Sequence, residues 1–299
     1  MNKSVKSFKT DPKLVTRMYF TMFMLGVLYA AFSFLLMRLG VPIIFVGIIV
    51  GIFAVIQYSM SDKMVLKSTG AKEVSQKEEP ELHDIVGMLA SRYEMPMPKI
   101  AIIDSDVPNA FATGRNPNKS LIAVTTGIQK RLNKKELTAV IGHELAHIVN
   151  GDIKVLAMGN FFVMLTGFLM QMFFFNMLFG GMGRRREGGG AMMITYFATI
   201  IVYFIGQLLV LALTRYREYG ADHKGAEICG DPGSLADALA KISGTVSNIP
   251  DQDLRKLQTA NAFLIISASL RGSGGMNLFS THPSVEERIR RLRDLETRI

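Results

Sequence analysis

Five consecutive residues, His143-Glu144-Leu145-Ala146-His147, have the types and the spacing for hydrolysis at a metal ion. On a helix, positions four apart share a face, so both imidazoles can reach one ion. Glu144 lies about 100° round the same helix from His143, beside the ion instead of on it. It can there accept a proton from metal-held water, whose pKa zinc lowers to about 7. The competing reading is two His and a Glu on a solvated face. The flanks oppose it: Val140, Ile141, Leu145, Ala146, Ile148 and Val149 make the helix largely buried. Unpaired His and Glu would be costly there.

A catalytic zinc takes three protein ligands and leaves one position open. Asn150 stands where one common pattern has Gly, and no third His follows at that pattern's spacing. The other histidines are His83, His223 and His282. Glu218 is the better candidate, in Arg215-Tyr-Arg-Glu218-Tyr-Gly-Ala-Asp222. Glu218 and Asp222 share a helical face, so Asp222 can orient a ligating imidazole through its other ring nitrogen. The plainer reading of each acid is a surface carboxylate paired with Arg215 or Arg217.

The elements that must position these residues alternate with apolar runs. Residues 18–37, 39–61, 155–183 and 188–214 carry no charged side chain. A helix needs about 20 apolar residues to cross the hydrocarbon core, and all four runs reach that length. The sequence therefore divides into a basic tail with spans one and two at 1–61, a soluble block at 62–154, spans three and four at 155–214, and a second soluble block at 215–299. The first run is too long for the core of a signal peptide and a second follows it, so it reads as a retained anchor. His147 lies seven residues before Lys154, and Glu218 four after Thr214. The two candidate ligand segments thus continue into spans three and four, and a hairpin of those spans would return them to one membrane face.

Within the first block, Leu82, Ile85, Val86 and Leu89 predict a helix over 79–93. Lys99–Asp104 and Leu121–Thr126 read as strands. A helix should start after Asn133, with Glu136 closing a capping box. The second block predicts helices around 233–242 and 252–270, and a terminal helix from Ser284 with Glu287 completing another box.

Lys and Arg number 34 against 25 Asp and Glu, a net charge of +9. The basic residues gather in the N-terminal segment (Lys3, Lys6, Lys9, Lys13, Arg17), after span two (Lys63, Lys67, Lys72) and on the last helix. They form no patch interleaved with aromatics, so no nucleic-acid partner is expected. A cytosolic face against anionic lipid accounts for them. Arg184, Arg185 and Arg186, between spans three and four, run against that orientation but are outnumbered. The single cysteine, Cys229, rules out an intramolecular disulfide and a Cys-built zinc cage.

His143-Glu-Leu-Ala-His147 with Gly151-Asp152, Arg215-x-x-Glu218-x-x-x-Asp222, Asn109-Ala-Phe-Ala112 and Thr281-His-Pro283 together resemble the HtpX family. These are membrane zinc metalloproteases related to the CAAX prenyl proteases, and the likeness runs over nearly the whole chain. It implies a mainly α membrane protein: four transmembrane helices plus an α+β gluzincin-like zinc peptidase domain with a small sheet. It implies one Zn2+ per subunit on His143, His147 and Glu218, with Glu144 as general base. It further implies that Asn109, Ala110, Phe111 and Ala112 lie at an edge strand that binds extended peptide. His282, which by its loop position alone would be an exposed residue, becomes an oxyanion donor. Asp222 and Asp152 are expected to support ligands, not to bind the ion.

The expected activity is endoproteolysis of misfolded or damaged membrane proteins and unfolded chains, on the cytosolic side of the cell membrane. Polypeptides and the lipid bilayer are the expected partners. A catalytically silent scaffold or chaperone would have no need of Glu144. A transporter would place ionisable groups inside the spans, where none occur. A prenyl-protein protease ranks below general proteolysis, because four spans enclose little volume for a lipid chamber.

Overall fold

The computed structural model describes residues 12–42, 70–114, 116–179, 189–246 and 283–298, with 44, 47–52, 55, 66, 67 and 69 besides. The chain divides into two compact units. One comprises Met1–Val15, Ser61–Lys154 and Thr214–Ile299, the other Thr16–Met60 and Val155–Leu213.

In the first unit, the described strands form a mixed sheet in the order β1-β2-β4-β3. They are β1 (Lys72–Glu73), β2 (Lys99–Ile103), β3 (Ala110–Gly114) and β4 (Ser120–Thr125). β2 runs parallel to β4, and β3 runs antiparallel to β4 with Phe111 opposite Ala123. Ile100, Ile122 and Val124 on one face join the main core, while Ala101, Phe111, Leu121 and Ala123 form a smaller one on the other. That two-sided burial explains why β4 is buried along its whole length and reads as an unbroken apolar run.

Helices α2 (Pro80–Arg92), α3 (Thr126–Arg131), α4 (Lys134–Val149), α7 (Pro232–Val246) and α8 (Val285–Glu296) belong to the same unit. Leu82, Val86 and Leu89 of α2, Ile141 and Leu145 of α4, and Leu235 and Leu239 of α7 meet in the main core. The start of α4 is fixed as expected. Asn133 Oδ1 accepts from the Glu136 N–H at 3.0 Å, and Glu136 returns a bond from the Asn133 N–H at 2.9 Å. At α8 only half of the expected box forms. Ser284 Oγ accepts from the Glu287 N–H, but the Glu287 carboxylate is taken by Arg290 and Arg291. Two guanidiniums one turn ahead compete better for it than a neutral backbone amide does.

The second unit holds most of α1 (Pro12–Arg38), α5 (Asp152–Phe179) and α6 (Gly189–Cys229). Among the described residues three helices are long and apolar enough to cross a membrane: Pro12–Arg38, Lys154–Phe179 and Gly190–Cys229. Leu25, Phe32, Leu165 and Leu169 pack inward, while Phe20, Phe23, Phe197 and Phe204 are exposed. Apolar faces of this kind are what lipid covers. Of the expected second span, 39–61, residues 43, 45, 46, 53, 54 and 56–61 lie outside the described residues, as does all of the expected helix at 252–270.

The segment after the His-Glu motif corrects one expectation. α4 does not run on into the third apolar run. It ends at Val149, and Gly151 adopts φ +70 before α5 begins at Asp152. A left-handed residue costs glycine nothing and breaks the helix there. The Glu218 segment does continue without a break, within the 41 residues of α6.

Candidate metal centre

α4 and α6 each contribute one face to the site. His143 and His147 lie one turn apart on α4, with ring centroids 4.7 Å apart and planes at 83°. Glu218 projects from α6 towards both: Oε2 is 3.7 Å from His143 Nε2, and Oε1 is 3.5 Å from His147 Nε2. One ligand atom from each of the three falls within 4.8 Å of the others. The edges of a tetrahedron with zinc-to-ligand distances near 2.1 Å are about 3.4 Å. The observed separations are close to that.

The other ring nitrogens each face a carboxylate. His147 Nδ1 lies 2.7 Å from Asp152 Oδ2, a contact made possible by the turn at Gly151. His143 Nδ1 is 3.1 Å from Asp222 Oδ1, at ion-pair distance though off the line of a hydrogen bond. In both rings a carboxylate at Nδ1 favours the proton there and leaves the Nε2 lone pair facing Glu218.

Arg288 of α8 completes the arrangement, and the sequence reading missed it. It is 1% exposed, and its Nε and one terminal nitrogen donate to Asp222 at 2.8 and 2.6 Å. The other terminal nitrogen is 3.3 Å from Glu218 Oε2. Burial alone would push the Asp222 carboxyl up, but Arg288 and His143 outweigh it and hold the pKa below the usual range. Burial likewise works against the Arg288 charge, and Asp222 and Glu218 overcome it and raise its pKa. Arg217 sits on the opposite flank, its Nε 3.2 Å from Asp152 Oδ1.

These contacts test whether the residues suit a divalent ion. Four buried carboxylates (Glu144, Asp152, Glu218 and Asp222) face two buried guanidiniums, Arg217 and Arg288. The carboxylates outnumber the guanidiniums, by two when Glu144 is ionised; a divalent cation would make up that deficit, and buried charge is otherwise very costly. The donor set of two imidazoles and one carboxylate is that of a catalytic zinc with an open fourth position. The residues fit.

Glu144 is buried beside this set and reaches the sheet. Its Oε2 accepts from the Ala112 N–H at 2.8 Å. β3 is the edge of the sheet, and the Thr125 N–H donates to the Asn109 carbonyl. The antiparallel alternation then turns Phe111 and Thr113 towards β4, and the backbone groups of Ala110 and Ala112 outward. Burial pushes the Glu144 pKa up to about 7, with Glu218 adding to the rise and His147 and the Ala112 N–H opposing it.

The structure therefore brings His143, Glu144, His147, Glu218, Asp222, Asp152 and the Asn109–Ala112 segment to one place. His282 lies outside the described residues. Arg288 left one trace in the sequence. It falls on the apolar stripe of its helix, between Val285 and Leu292, where a guanidinium must find buried anions.

The model of peptidase family M48 matches residues 76–296. The chain is 47% identical over 292 residues to the "Protease HtpX homolog" of Moorella thermoacetica, covering 96% of each. It is 46% identical to "Protease HtpX homolog 2" of Methanosarcina acetivorans, over 97% of this chain and 98% of that one. Among solved structures it resembles the crystal structure of S. mikatae Ste24p, with a TM-score of 0.54 at 19% identity, over 94% of this chain and 67% of that one. At that identity the likeness speaks for the fold alone.

Proposed function

The chain belongs to peptidase family M48, among its HtpX-like proteases, and on that premise we propose an integral membrane zinc endopeptidase that clears damaged proteins. That it is a metallopeptidase follows from the family. The finer reading assigns one Zn2+ per subunit to His143, His147 and Glu218. The observation that carries it is the convergence of these three donors in a buried cluster where carboxylates outnumber guanidiniums.

Zinc bound there supplies a Lewis acid that polarises a peptide carbonyl and acidifies water. The chain's own groups do the rest. Asp152 and Asp222 fix the imidazoles, and Arg288 keeps Asp222 ionised and steadies Glu218. Peptide backbone adds to the outward edge of β3, beside Asn109, Ala110, Phe111 and Ala112, as an extended strand. Glu144, set between that edge and the ligands, takes a proton from water and passes it to the departing amine. His282 is assigned to the oxyanion of the tetrahedral intermediate on the family pattern.

The proposed substrates are cytosolic loops and tails of misfolded or damaged membrane proteins, and unfolded soluble chains. An edge strand accepts only extended backbone, which a helix in hydrocarbon cannot become without unpaired amides. The basic tail and the lysines after 61 favour the cytosolic side of the cell membrane. A silent scaffold of the same fold would not need Glu144 buried at the strand edge. A prenyl-specific protease gains nothing from a 19% identical fold relative.

Reconstitution with a multi-span substrate, and mapping of the cuts by mass spectrometry, tests the substrate reading. Cuts in loops and tails on the side of the basic tail are expected. A majority of cuts within intact spans, or on the opposite face, would overturn it.

A further inference from the structure

Two glycines where α4 meets α6 have no part in the chemistry, yet they stand at its base. Gly142 immediately precedes His143. Gly225 follows Glu218 by seven residues, two turns along the same face of α6, or about 10 Å. We infer that the Gly142–Gly225 contact sets the separation of the two ligand-bearing helices and thereby the affinity of the site for its metal. The inference rests on the zinc reading above.

A Cβ built on Gly225 would lie 2.7 Å from His143 Cα, 2.8 Å from His143 N and 3.1 Å from Gly142 C. A Cβ on Gly142 would lie 3.1 Å from the Gly225 carbonyl oxygen. The helices therefore touch backbone to backbone, and the point of contact is the residue that carries the first imidazole. Small residues permit this approach, whereas helices meeting through larger side chains stay 8–10 Å apart. Glycine is disfavoured in a helix interior, and the contact explains why it stands at both positions.

The atoms in the way are backbone atoms, which cannot swing aside as the tip of a side chain can. Ordinary contact begins at 3.4 Å, so Ala at 225 must push the α4 backbone away by about 0.7 Å at His143. Metal-to-ligand distances hold to about 0.2 Å. The displacement exceeds that tolerance several-fold and acts directly on His143, relative to the helix that carries Glu218. Gly220, on the same helix, provides the contrast: a Cβ there would meet nothing within 4 Å.

The test uses the full chain in detergent, stripped of metal and titrated with zinc against a fluorescent indicator. Thermal unfolding of the metal-free protein is recorded alongside. Gly225→Ala should weaken zinc binding at least about tenfold, Gly142→Ala by a smaller factor, and Gly220→Ala by less than about twofold. Metal-free Gly220→Ala should melt no lower than wild type, because alanine favours helix and its Cβ meets nothing there. A folded Gly225→Ala that binds zinc as tightly as wild type overturns the inference. If that variant does not fold, Gly142→Ala decides, and undiminished affinity in it overturns the inference equally. A wild-type chain that takes up no zinc would sink the reading of the site itself, an outcome distinct from equal binding by wild type and variants.

Discussion

A guanidinium at 1% exposure stays charged only where anions surround it, and Arg288 has Asp222 and Glu218. Arg288→Met leaves those carboxylates buried without their cation, a change that costs about 3–5 kcal/mol in comparable buried pairs. The metal-free variant should unfold earlier in denaturant by that order. Arg288→Lys should recover only part of the loss, because one ammonium cannot reproduce two directed bonds to Asp222. Wild-type stability in the Lys variant would contradict the account of this contact. Glu218 is tested separately. Glu218→Ala should lower zinc occupancy sharply, and Glu81→Ala, whose carboxylate pairs with Lys134 at the surface, should not. Equal occupancy in Glu218→Ala and wild type would remove Glu218 from the site and send the search to His223 or His282. The histidine pair was legible because one motif holds both imidazoles and the carboxylate beside them. Arg288 was not, because its partners are 66 and 70 residues away in sequence and a run of arginines hides it among solvated ones.

Among the elements, α2, β2, β4 and α4 could be read from local pattern, since each carries a matching run of apolar residues and α4 a capping box as well. β3 could not. Its Ala-Phe-Ala-Thr-Gly has no alternation to mark it, and it is a strand because β4 pairs with it. The break between α4 and α5 was also missed, although Asn150-Gly151-Asp152 carries a turn signal, because the apolar runs on both sides were read as one continuous path. The edge position of β3 gives a test at this scale. The Ala112 N–H faces away from β4 and donates to Glu144. Proline deletes that donor and is tolerated on a strand's outward edge. Ala112→Pro should therefore keep the fold and bound zinc yet lower kcat/KM at least about tenfold, the cost of loosening a positioned catalytic group. Phe111→Pro, which faces the ladder, should destabilise the sheet instead. Full activity in a folded Ala112→Pro would show that the base needs no support from the edge strand.

Taken whole, the chain alternates between a unit with a conventional buried core and one with exposed aromatic faces, so each unit draws on separated stretches of sequence. Apolar run length made the alternation legible. The end of the second run and the loop carrying Arg184, Arg185 and Arg186 fall outside the described residues, so orientation rests on charge alone. Alkaline carbonate should leave the chain in the membrane pellet and detergent should release it; release by carbonate would contradict a spanning protein. The central claim is that His143, His147 and Glu218 hold a zinc ion beside Glu144 as the base. It is tested most directly by measuring zinc content and casein cleavage together, in detergent, for wild type and Glu144→Gln. The account predicts about one zinc per chain in both, with cleavage reduced by about 10²-fold or more in the variant. A Glu144→Gln protein that purifies without zinc, or that cleaves casein like wild type, would contradict it.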